Sequence, residues 1–103
     1  MRQFDVVSNP HRAATDTIPY LVVLQHDHVQ PAPSVIVASV VKYGFLPRIG
    51  KLTFEVRIGG EIYLVLAYDM AAIAPQRLSS PVANLEAHRD QFIAAIDLLF
   101  TGF

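Results

Sequence analysis

Three groups of residues have the types and spacing that could do chemistry. The first is His26, Asp27 and His28. In an extended segment residues i and i+2 project to the same side, so the two imidazoles, with the Asp27 carboxylate beside them, form a partial donor set for zinc. Only two of the four histidines take part, and no third ligand follows at a recognised spacing. A polar loop accounts for them better. The second group is His88, Arg89 and Asp90, the acid, base and cation that a ribonuclease needs around a phosphate. Consecutive residues on a helix point in different directions, so a solvated helix face is the simpler account. The third is the tail Asp97-Leu98-Leu99-Phe100-Thr101-Gly102-Phe103. Chain ends fray unless something ties them down, yet this one is crowded with apolar side chains. Phe103 lies beyond the helical repeat. It either folds back on the domain or inserts into a partner, and both readings stay open.

No G-x-S-x-G, phosphate-loop or H-E-x-x-H pattern occurs, and Gly59-Gly60 reads as a turn. Without a catalytic constellation, the chain reads as a binder of another protein rather than as an enzyme. Its composition agrees. Hydrophobic residues make up 52% and charged residues 17% of the 103 positions, against about 25% charged in an average domain. One small domain of this kind has apolar surface to hide, and a symmetric dimer is the simplest way to hide it. A net charge of −1 without a basic run argues against direct nucleic-acid binding. The chain has no cysteine, which excludes disulfides and thiolate chemistry. No leader-like segment and no apolar run of membrane-spanning length is read, so the expectation is a cytoplasmic protein without membrane association.

The elements that must position these residues follow from local patterns. Strands are expected over 3–8, 20–25 and 34–41; the second is apolar on both faces and therefore central. The clearest signal is a hairpin. Leu52, Phe54, Val56 and Ile58 alternate with Thr53, Glu55 and Arg57, Gly59-Gly60 supplies the turn, and 61–68 returns. Residues 69–78 read as a connector that ends the sheet. One helix is expected within 79–100, capped by Ser80 with Pro81 at its first position, or capped by Asn84 and starting at Leu85. Phe92, Ile93, Ile96, Leu99 and Phe100 recur at helical spacing, and Gly102 is a natural stop. Phe54, Tyr63 and Phe92 are assigned to the core. The fold class is mainly β with one C-terminal helix, in a single domain spanning 1–103.

The succession of these segments resembles the CcdB family of toxins from toxin–antitoxin systems. The resemblance runs through "RQFDVV", "YLVVLQHDHV" with Gln25 and Asp27 in the family's Gln-x-Asp pattern, "VIVASV", "FEVRIGGEIYLVLAYDMAAI" and "VANLEAHRDQFIAAIDLLFTGF". It implies an SH3-like barrel arrangement: a five-stranded antiparallel sheet, a small second sheet and a long C-terminal helix, working as a homodimer. It also implies a function without catalysis or cofactor. Family toxins bind the A subunit of DNA gyrase and trap the cleaved gyrase–DNA complex, and a CcdA-like antitoxin neutralises them by folding onto them.

The family's gyrase contact lies in its last three residues, Trp-Gly-Ile, the end of the helix and a loop after the second strand. Mapped by position, the implied gyrase-binding residues here are Asp97, Phe100, Thr101, Gly102, Phe103, His28 and Val29. Gly102 and Phe100 match, and Phe103 is apolar in place of isoleucine. Thr101 replaces the tryptophan, Asp97 an asparagine and His28 an isoleucine. These departures keep an alternative in view, a binder of the same fold that no longer poisons gyrase. A third reading, a ribonuclease like the MazF toxins that share the barrel, lacks the acid–base set and the positive charge.

Overall fold

The computed structural model of the chain describes residues 1–27 and 33–102. Six strands form one antiparallel sheet: β1 (Asp5–Ser8), β2 (Tyr20–Val23), β3 (Val35–Lys42), β4 (Thr53–Ile58), β5 (Glu61–Ile73) and β6 (Ala83–Asn84). Their spatial order is β4-β5-β3-β2-β1-β6, a half-barrel closed on one side by the helix α1 (Arg89–Thr101). The strands that the resemblance divides between two sheets are continuous here.

The expected hairpin is β4 and β5, in register from Ile58↔Glu61 to Thr53↔Leu66. Gly59 and Gly60 both sit at positive φ, 60° and 85°, which a two-residue turn of matching twist requires. Phe54, Val56 and Ile58 face the main core with Tyr63, Val65 and Ala67. Thr53 breaks the simple alternation, being buried as well. Its hydroxyl accepts the Ile49 N–H at 2.9 Å, which removes the cost of hiding it. As expected of a central strand, β2 is buried on both faces: Val22 in the main core, Leu21 and Val23 in a second cluster with Val7, Val35 and Val37.

Two expectations need correction. Residues 69–73 are not a connector but the second half of β5, where Met70 to Ile73 pair with Ala38 to Val35 of β3. The pairing steps from Ala38↔Met70 to Ser39↔Leu66, leaving Ala67, Tyr68 and Asp69 as a bulge. The Ser39 hydroxyl donates to Asp69 Oδ2 across it at 2.6 Å. Such a bulge bends a strand and sharpens its twist, so one strand can serve both ends of a curved sheet. The helix also begins later than either cap predicts. Ala83 and Asn84 pair with Val6 and Asp5 of β1, and the Leu85 N–H donates to the Phe4 carbonyl at 2.9 Å. With their backbone groups taken by β1, these residues have none to offer a helix. Asn84 still marks a start: its Oδ1 accepts the Glu86 N–H at 2.8 Å, opening a short 3-10 turn (Glu86–His88) that leads into α1.

The helix is held by Phe92, which is fully buried. Its ring stacks on Phe4 at 4.7 Å and meets Phe54 edge-on at 4.9 Å. Burying one such side chain contributes about 1.5–3 kcal/mol, with aromatic geometry adding to it.

Candidate partner-binding face

The helix buries one stripe, Phe92 and Ala95, and leaves the other in solvent. Ile93, Leu99 and Phe100 are exposed, Phe100 to 70%. Among the described residues it is the most exposed of the large apolar side chains. The last turn holds it in place. Gly102 adopts φ 80° and its N–H bonds the Leu98 carbonyl at 3.1 Å, a left-handed cap that favours glycine. The Thr101 hydroxyl turns back to the Asp97 carbonyl at 2.6 Å, so it is spent on the helix itself. The Asp97 side chain is exposed.

Phe100 borders an open groove of about 540 Å³. One wall is Ile96 and Phe100 of α1. The other is Leu24, Gln25 and His26, where the chain leaves β2. Ile36 of β3 and Met70 to Ala72, on the second half of β5, line the rest. The bulge sets the register of this part of the groove: after the step at Ser39 and Asp69, Met70 stands opposite Ala38 and Ala72 opposite Ile36. Within its wall, the Gln25 side-chain Nε2 is buried with no acceptor among the described residues. An unmatched buried donor costs about 1–3 kcal/mol.

Of the residues singled out beforehand, Asp97, Phe100, Thr101 and Gly102 are together on the last turn of α1 and its cap. His28, Val29 and Phe103 lie outside the described residues. Leu24, Ile36, Ile96 and Met70 to Ala72 were missed as site residues, because nothing local marks an apolar strand residue as facing a groove rather than a core. The Asp27 carboxylate accepts the Gln3 N–H at 2.7 Å. His88, Arg89 and Asp90 diverge, as consecutive helical residues should. His88 stacks on Phe54 with its Nδ1 2.5 Å from Gln91 Oε1. Arg89 lies over the Phe4 ring at 6.0 Å. Asp90 borders a separate hollow beside Arg48 and Lys51.

The molecule is thus a curved antiparallel sheet closed by one helix, with an apolar groove at the helix end. The chain belongs to the CcdB family: the family model described as CcdB protein matches residues 3–102. Members of that family are toxins of toxin–antitoxin systems that poison DNA gyrase, and they are not themselves catalysts. No curated protein matches the chain.

Proposed function

We propose that this chain is the toxin of a type II toxin–antitoxin pair, which binds the DNA gyrase A subunit and traps the gyrase–DNA cleavage complex without performing chemistry of its own. The observation that carries this reading is Phe100, 70% exposed on the rim of an apolar groove and two residues before a glycine cap. Asp97, Thr101 and Gly102 lie beside it on the helix end, and the resemblance assigns Phe103, His28 and Val29 to the same contact. Partners are gyrase, a CcdA-like antitoxin and a second copy of the chain. The setting is the cytoplasm, where gyrase works; among the described residues no helix is long and apolar enough to cross a membrane.

Thr101 is the point of strain in this assignment. A buried interface tryptophan contributes about 2 kcal/mol or more, whereas the threonine hydroxyl is committed to the Asp97 carbonyl. Cleavage trapping with gyrase from the source organism tests the reading on wild type, Phe100→Ala and Thr101→Trp. Wild type is expected to trap cleaved DNA. Phe100→Ala is expected to lose roughly tenfold or more in potency, with its thermal midpoint unchanged because the ring is exposed. Thr101→Trp is expected to gain potency, at a cost of about 1 kcal/mol or less in stability from the lost hydroxyl bond. Trapping by Thr101→Trp alone would mean that the scaffold fits gyrase but has lost its anchor. Trapping by neither would leave a binder of the same fold with a different target.

A further inference from the structure

Gln3 joins its own segment to two others that are distant in sequence, 24–27 and 84–89. Its backbone N–H donates to Asp27 Oδ1 at 2.7 Å, and its side-chain Nε2 donates to the Leu24 carbonyl at 3.0 Å. Its side-chain oxygen accepts from Arg89 Nη1 at 3.3 Å, and its carbonyl accepts from Asn84 Nδ2 at 3.1 Å. The next residue is held as firmly. Phe4 is at φ 69°, the one non-glycine residue at positive φ among those described, a conformation that bulky side chains adopt only when their surroundings impose it. The surroundings are present. The Phe4 N–H donates to the Val23 carbonyl at 2.7 Å and its carbonyl accepts from Leu85, while its ring is pinned between Phe92 and the Arg89 guanidinium.

Leu24 to His26 form one wall of the apolar groove, and Ile96 with Phe100 forms the other. Gln3 bonds directly to the first wall, through Leu24, and to the first residue of the helix that carries the second, through Arg89. Arg89 and Phe100 are eleven residues apart, about 16 Å along the helix, so a tilt of about 5° at Arg89 shifts Phe100 by about 1.4 Å. A shift of that size is enough to spoil the fit of an apolar anchor.

We propose that Gln3 is a positioning residue for partner recognition: it ties the exit of β2 to the first turn of α1 and so sets the width of the groove that Phe100 borders. The consequence for gyrase rests on the function proposed above; the geometric claim does not, and the two are tested separately. Because the chain lacks cysteine, nitroxide labels can be placed at His26→Cys on the first wall and Leu99→Cys on the exposed face of the helix that carries the second, in protein diluted with unlabelled chain so that only distances within one molecule are read. A single narrow distance distribution is expected for the otherwise native protein. Gln3→Leu, which keeps the bulk and removes the side-chain bonds, is expected to broaden it. Arg89→Met, which cuts the helix arm alone, is expected to do the same, and so serves if Gln3→Leu folds poorly. In unlabelled protein the same substitutions are expected to weaken binding to the gyrase A subunit roughly tenfold with circular dichroism unchanged. Distributions that superimpose on the native one overturn the proposal. Broadened distributions with native gyrase affinity overturn the claim that this width governs recognition. If native protein shows no gyrase binding, the functional reading falls, and the distance distributions alone decide whether Gln3 sets the groove.

Discussion

Phe92 is the residue on which the packing of helix against sheet depends. It touches Phe4 and Phe54 at once and is fully buried. Phe92→Ala is expected to cost about 3–5 kcal/mol, a large share of the 5–15 kcal/mol typical of a domain; the midpoint of urea unfolding measures it. Tyr63 makes a subtler contribution. Burial, reinforced by its hydrogen bond to Glu61 and the neighbouring Tyr20, raises its hydroxyl from the ordinary 10.0 to about 12. The folded state therefore favours the protonated phenol. The stability this group contributes is fully present below its unfolded value and is lost as pH rises through about 12. Titration of tyrosinate absorbance is expected to show a late-ionising group that is absent in Tyr63→Phe. That variant is also expected to lose less stability than wild type across this alkaline range.

At the scale of elements, the ends of α1 are governed by different forces. Its start is set by tertiary pairing, since Ala83 and Asn84 belong to the sheet. Its stop is local, set by Gly102 at φ 80°. No atom crowds the site where a Cβ would be added there, so Gly102→Ala is expected to cost only the backbone strain, about 1 kcal/mol. Faster amide exchange at the end of the helix, with the sheet amides unaffected, would show that the loss is confined to the last turn. Because that turn carries Phe100, partner binding should weaken as well. β5 is the complementary case. Its first half was legible as a hairpin strand by alternation and a glycine pair. Its second half, with Asp69 and two alanines, has a poor strand composition and is extended because β3 offers it a partner.

Across the whole molecule, the radius of gyration of 12.8 Å is what a compact chain of this length should have, about 13 Å. The exposed apolar residues are therefore not a sign of loose packing. Ile36 and Phe100 border the groove at one end of the sheet, and Tyr43, Phe45 and Leu46 border a separate hollow. Self-association through this end is expected, and sedimentation over a range of concentrations should reveal a monomer–dimer equilibrium. Ile36→Lys, which places a charge in the groove, is expected to shift that equilibrium at least tenfold toward monomer. An unchanged equilibrium would assign the groove to a different partner.

What the sequence by itself determined is whatever depends on near neighbours. The alternation from Phe54 to Ile58, the paired glycines, the two-sided apolar run of β2, the helical repeat around Phe92 and the stop at Gly102 each carry their own structural cause. The likeness to the CcdB family was likewise legible from ordered segments along the chain. The tertiary structure alone decided that 69–73 and 83–84 are strands, that α1 waits until Arg89, and that Leu24, Ile36 and Met70 share a groove with Phe100. Strand pairing and grooves join residues far apart along the chain, and the free energy that selects them is released only when those distant segments meet.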